Sequence, residues 1–196
     1  MKGRSLITII VVAVLAILLF MGCGGYNGLV KQDEVVKNKW ANVQSDYQRR
    51  ADLIPNLVNT VKGEANFEQQ TLINVIEARS KATQIKVDPN DLTPEKIKEY
   101  QAAQGQLSQA LGRLLMITEN YPNLKANEGF RNLQTQLEGT ENRIKTARND
   151  FNQSIQEYNT KVRSFPMNLF AGMFGFKAKE GFSAEPGSEK APEVKF

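Results

Sequence analysis

The residues that could do chemistry in this chain are few and charged. Arg49, Arg50 and Asp52 form its densest charge cluster, just ahead of Pro55 and Asn56. With Glu68 they could line a polar cleft for a ligand. Neighbouring helical residues point about 100° apart, so two consecutive arginines do not readily face one small molecule. The structural alternative gives one arginine a buried ion pair, or the helix carbonyls near Pro55, and lays the other along the surface. Asn56 and Asn59 would then satisfy backbone groups that Pro55 frees. Paired carboxylates occur at Glu64 and Glu68 and at Glu138 and Glu141, but the chain has no histidine. That removes the commonest general base and metal ligand, and helical dimetal sites need a histidine three residues after a glutamate. Ser45, Ser80 and Ser108 have no histidine to activate them. No glycine-rich phosphate loop or hydrolase elbow occurs, and no cofactor or metal is expected.

Long helices must position these residues. Phe130, Leu133, Leu137, Ile144, Phe151, Ile155, Tyr158 and Val162 recur mostly three or four apart, with no proline between them. This predicts an amphipathic rod of about 50 Å with one apolar seam. Such a seam needs partners of similar length. An earlier seam through Leu29, Val36, Trp40, Val43, Tyr47, Ile54, Val58 and Val61 supplies one, ending near Gly63. Pro55 lacks the amide that would bond back to Ala51, so a kink or short break is expected near Ile54. A second helix is predicted over 67–82. A third begins at Pro94, capped by Thr93, and runs to Tyr121. Its Gly105 and Gly112 are either soft spots or close approaches between helices. Asn127 is the expected cap of the last long helix. The fold class is all-α: an up-and-down bundle of about four helices over residues 26–166, the first and last long. Trp40, Tyr47, Tyr100 and Tyr121 fall at core spacing.

Lys2 and Arg4 precede a run over 6–21 whose only polar member is Thr8. Residues 1–25 are therefore read either as a retained transmembrane anchor or as a lipoprotein signal. In the first reading the basic end stays in the cytoplasm. In the second, Cys23 becomes lipidated and Gly24 and Gly25 begin a tether. Both attach the chain to membrane lipid through its N-terminus, with the soluble part facing outward on the periplasmic or extracellular side. A formal net charge of +4, with basic and acidic residues interleaved, gives no reason to expect nucleic acid. Asp33/Lys37, Glu141/Lys145 and Glu157/Lys161 are acid-before-base pairs four apart.

After Pro166 comes an apolar segment, 167–182, in which Phe170, Phe174 and Phe176 are candidate contacts for a partner or a membrane. Packing over the end of the bundle is the other option. Residues 183–196 are rich in Pro, Glu, Lys and Ser and are expected to be disordered.

Several blocks resemble the LemA family. They include 26–30, Trp40 with Val43, 48–58, 61–63, Ala78-Arg79, 121–124, 130–144 and the stretch from Tyr158-Asn159 to Phe165-Pro166. The resemblance covers nearly the whole chain after Cys23. It implies a membrane-anchored, outward-facing helical bundle of the bacterial envelope with no established biochemical activity. Relatives commonly carry an aromatic and then a histidine after the block at 61–63. Glu64 and Phe67 stand there instead, with Glu68 retained, which weakens any metal or acid–base role for that corner. The favoured expectation is a non-enzymatic protein whose bundle engages another envelope or membrane protein, or further copies of itself. The alternative is a ligand-binding or weakly catalytic protein with its cleft near Arg49, Arg50 and Asp52.

Overall fold

The computed structural model describes residues 2–64 and 67–183, together with most of their side chains. Six helices are present among them: α1 (Lys2–Lys62), α2 (Gln69–Gln84), α3 (Pro94–Thr118), α4 (Pro122–Ala126), α5 (Glu128–Arg163) and α6 (Met167–Met173). There is no strand among the described residues, so the fold is all-α. α1 and α5 lie antiparallel along much of their length. Pairs fix the register: Gln32 with Glu157, Lys39 with Asp150, and Arg50 with Glu141. α2 and α3 form the second close pair and complete the bundle.

Caps set several of the ends. Thr93 Oγ1 accepts from the Lys96 amide, with Pro94 in the first turn, and Asn127 Oδ1 accepts from Phe130 N at 3.1 Å. The core has two parts. One gathers Trp40, Tyr47, Tyr100, Phe151 and Tyr158; the other gathers Ile54, Leu57, Val75, Leu107, Leu114, Phe130 and Leu137. Expectation and structure agree on these seams.

One local expectation is corrected, and two open alternatives are resolved. The first long helix does not start near Tyr26, because α1 is continuous from Lys2 and runs through Gly22, Gly24, Gly25 and Gly28. Glycine costs about 1 kcal/mol per helical position relative to alanine, but here it also makes room. A Cβ at Gly25 would meet the Met167 side chain, and one at Gly28 would meet Lys161. The helix continues through Pro55 with no break, as the unchanged phase of the seam on either side favours. Finally, Gly105 and Gly112 are not close approaches, since a Cβ at either meets nothing within 4 Å. Gly112→Ala is therefore expected to stabilise the bundle by about 0.5–1 kcal/mol, read as a higher urea midpoint.

The anchor expected over 1–25 falls largely on side chains outside the described residues, that of Cys23 included. Among the described residues no helix is long and apolar enough to cross a membrane. The tail expected to be disordered falls, from 184 on, outside the described residues as well.

Candidate functional site

The charge cluster near Pro55 separates in space. Arg50 is 1% exposed at the centre of the bundle, whereas Arg49, Asp52, Pro55, Asn56 and Glu68 are exposed. Asp52 accepts from Gln48, one turn back along α1. The six residues do not converge on a common pocket.

Arg50 itself is held from three helices. Its Nη1 donates to Ser108 Oγ and Glu141 Oε1, both at 2.7 Å. Its Nη2 donates to Gln104 Oε1 at 2.7 Å and to the Gln104 carbonyl at 3.2 Å, and the guanidinium lies 5.0 Å from the Tyr47 ring centroid. Nε has no hydrogen-bond partner among the described residues. A planar fork of donors suits this crossing of α1, α3 and α5 in a way a lysine could not. Glu141 thus pairs with Arg50 rather than with Lys145, while Asp33 does pair with Lys37 as its spacing predicts. Burial pushes the Tyr47 phenol up, and the same cause, reinforced by Tyr47, raises Tyr100. These hydroxyls therefore stay protonated at neutral pH. The arrangement is a structural lock.

The carbonyl that Pro55 leaves without an amide partner is that of Ala51, and Arg79 Nε donates to it at 2.7 Å. Asn56 and Asn59 were expected to satisfy such groups but lie exposed; a side chain from α2 does the work instead. Arg79→Ala should cost about 1–3 kcal/mol by leaving that acceptor unmet. Adding Pro55→Ala restores an amide partner and should recover part of the loss, a coupling readable in a double-mutant cycle of urea unfolding.

A second polar assembly holds the residues after α6. Asn159 accepts from Lys179 N at 2.8 Å and donates to Lys179 O at 2.7 Å. Asn152 does the same for Phe182, at 2.9 and 3.0 Å. Lys179 Nζ lies 2.8 Å from Asp33 and 5.4 Å from the Tyr158 ring centroid. Phe182 is buried against Trp40 and Phe151, with Arg148 over its ring at 4.7 Å. Gln101 donates to the carbonyl of Ser183. Residues 176–183 therefore form a strap lying back along α5. The apolar spacing leaves packing on the bundle open for this segment but shows neither its path along α5 nor the asparagines that hold it. The available signal was a pair of asparagines seven apart beside the α5 seam, with a Gly-Phe pair in an otherwise polar tail.

Burial raises the Asp33 carboxyl, but hydrogen bonds from Lys179 and Lys37 outweigh that and hold it below its ordinary 3.8. Its lowered pKa gives stability that is present above 3.8 and lost as pH falls through the folded value. The protection factor for hydrogen exchange at Lys179 N should thus hold above 3.8 and fall as pH drops below it. Asp33→Asn should flatten that acid response. Burial and the nearby Asp33 charge together raise Tyr158 to about 12.

Of the aromatic contacts expected after Pro166, only Phe174 is exposed. Phe170 faces Gly22, and Phe176 packs half-buried on the core. Phe174 and Phe176 both meet the Tyr26 ring edge-on, at 5.1 and 5.7 Å. Phe165, Leu169 and Met173 are the large apolar side chains exposed beside Phe174. On another face, Lys39, Asn42, Asp46, Arg143 and Asp150 line an open groove of about 450 Å³ between α1 and α5. Ser45 also lines it, and among the described residues no hydrogen bond joins its hydroxyl to a base. Among the described residues no group of three or more carboxylates or cysteines could hold a metal ion.

These features define an all-helical bundle built on a buried arginine lock and a C-terminal strap. A model of the LemA family matches residues 39–196, and the chain belongs to that family. It is similar to the magnetosome protein MamQ 2 of Paramagnetospirillum magneticum, with 27% identity over 200 residues covering 92% of this chain and 74% of the relative. It is also similar to protein LemA of Metamycoplasma hominis, with 26% identity over 157 residues covering 80% and 68% of the two chains.

Proposed function

We propose that this chain is a non-enzymatic, membrane-tethered rod that presents a helical bundle to other proteins of the envelope. The observation that carries the reading is the continuity of α1 from Lys2 to Lys62. Its apolar stretch over 6–21 rises about 24 Å, and counting Ser5 and 22–25 brings it to about the 20 residues a bilayer needs. The same helix then supplies Leu29, Val36, Trp40 and Val43 to the core. A tether of this kind has no flexible joint, so the bundle stands at a fixed attitude to the lipid. Exposed Phe165, Leu169, Met173 and Phe174 lie at the end of the bundle nearest that stretch, where an interfacial contact would be favourable.

Alkaline extraction of native membranes should leave the full chain in the pellet, and external protease on intact spheroplasts should reach the α2–α3 loop. Release of the intact chain by alkali overturns the tether, and full protection of that loop overturns the outward orientation. Crosslinking in the same membranes should give discrete complexes; a chain that yields none overturns the interaction role.

A further inference from the structure

We infer that the groove holding the strap is a docking site for an extended Lys-x-Gly-Phe segment, and that the strap of a second copy can occupy it by exchange. The groove reads its occupant mainly through the backbone. Each asparagine amide uses its carbonyl oxygen and one N–H on a single residue of the strap. The spacing fits: seven helical residues from Asn152 to Asn159 rise about 10.5 Å, and three extended residues from Lys179 to Phe182 span about 10 Å.

Three side-chain positions add selectivity. Lys179 meets Asp33 and the Tyr158 ring; Phe182 fills the space against Trp40 and Phe151. Between them, a Cβ at Gly181 would come 2.4 Å from Asn152 Oδ1, inside the clamp. Glycine is thus required there for reasons of space.

Exchange is favoured by how the strap is attached. It follows Gly175, whose φ of +78° suits glycine at a sharp change of direction. From Lys177 to Ser183 its described hydrogen bonds run to side chains of α1, α3 and α5, not to backbone. Detaching it therefore unravels no helix. Every recognition element lies within 179–183, so the groove does not distinguish its own strap from a neighbour's. Swapping an identical element is a low-cost route to association, and confinement of copies to one surface raises the effective concentration. The inference goes beyond the tethered-rod reading and does not need it, since the same groove operates in detergent.

The test places Gln101→Cys on one copy and Ser183→Cys on another, co-expressed as full chains and oxidised in mild detergent. Peptide mapping of the crosslinked band distinguishes a 101–183 linkage from any involving Cys23. A chain carrying both substitutions must form the linkage internally, which verifies the fold and the geometry. The expected result is a 101–183 linkage between copies, reduced at least tenfold when the strap donor also carries Gly181→Val or Phe182→Ala. Linkage confined to the doubly substituted chain overturns the exchange, as does an inter-copy linkage unaffected by Gly181→Val. A synthetic peptide of residues 176–183 gives an independent arm. It should bind the full-length Phe182→Ala protein and lose at least tenfold in affinity when Asn152→Ala and Asn159→Ala are added. Failure to bind a Phe182→Ala protein of normal helicity overturns the groove as a docking site.

Discussion

Arg50→Ala is expected to lower the stability of the bundle by about 3–5 kcal/mol, while Glu141→Gln costs only about 1–2. The asymmetry follows from burial. The Arg50 side chain is 1% exposed and fills the crossing of three helices, whereas the Glu141 side chain is 46% exposed. Removing the arginine empties a core volume and strands the Gln104 amide oxygen, which has no other donor described for it. Removing the charge at 141 leaves the guanidinium its bonds to Ser108 and Gln104, with a neutral acceptor still in reach. Arg50→Met separates packing from polarity. It keeps most of the volume and should recover about 1–2 kcal/mol of the alanine loss. Urea unfolding of the full chain in mild detergent, followed by circular dichroism, measures all three. Equal losses for Glu141→Gln and Arg50→Ala would mean that the ion pair, not the filled crossing, holds the helices together.

Arg50 also shows how far a sequence of this kind can be read. The 100° rotation between neighbours already argued that Arg49 and Arg50 have separate roles, and one was expected to enter a buried ion pair. The partner was beyond reach. Glu141 lies 91 residues away, and local spacing offered Lys145 instead. The caps at Thr93 and Asn127 were legible because every atom involved lies within four residues. The seams were legible because periodicity survives without knowledge of partners. Two kinds of feature were not. One is any bond made by a polar side chain to distant backbone, such as Arg79 to Ala51 or Asn152 to Phe182. Such residues look like ordinary solvated positions beside a seam. The other is the unbroken course of α1 through four glycines. Propensity argues against helix there, but Met167 and Phe170 of α6 and Lys161 at the end of α5 crowd against that stretch and use the space that missing side chains leave. The alternative reading, a charged cleft near Pro55, fails for a related reason. Neighbours in sequence on a helix occupy different faces, and only a third element can bring charges together.

Trp40→Ala should be the most damaging single change in the first core region, at about 3–5 kcal/mol. That is more than half of the total for a domain at the lower end of the usual range of about 5–15 kcal/mol. The indole is fully buried and meets Tyr100 at 5.3 Å, Phe151 at 5.2 Å and Phe182 at 5.8 Å between centroids. It joins α1 to α3, to α5 and to the strap. Its Nε1 also donates to the Val87 carbonyl at 3.2 Å, tying down the connection between α2 and α3. Gln44 donates to the same carbonyl at 2.9 Å. Val87 O is therefore doubly served, and losing one donor leaves it satisfied. Trp40→Phe, which keeps a ring and loses the N–H, should accordingly cost far less than alanine, on the order of 1 kcal/mol. Gln44→Ala alone should be milder still. Combining Trp40→Phe with Gln44→Ala strips the carbonyl of both donors, and the loss should exceed the sum of the single changes by about 1 kcal/mol. Trp40 is the only tryptophan, so helicity rather than fluorescence must report unfolding in this series. Simple additivity in the double variant would show that the Val87 carbonyl is not closed off from water, and that the α2–α3 connection is held by packing alone.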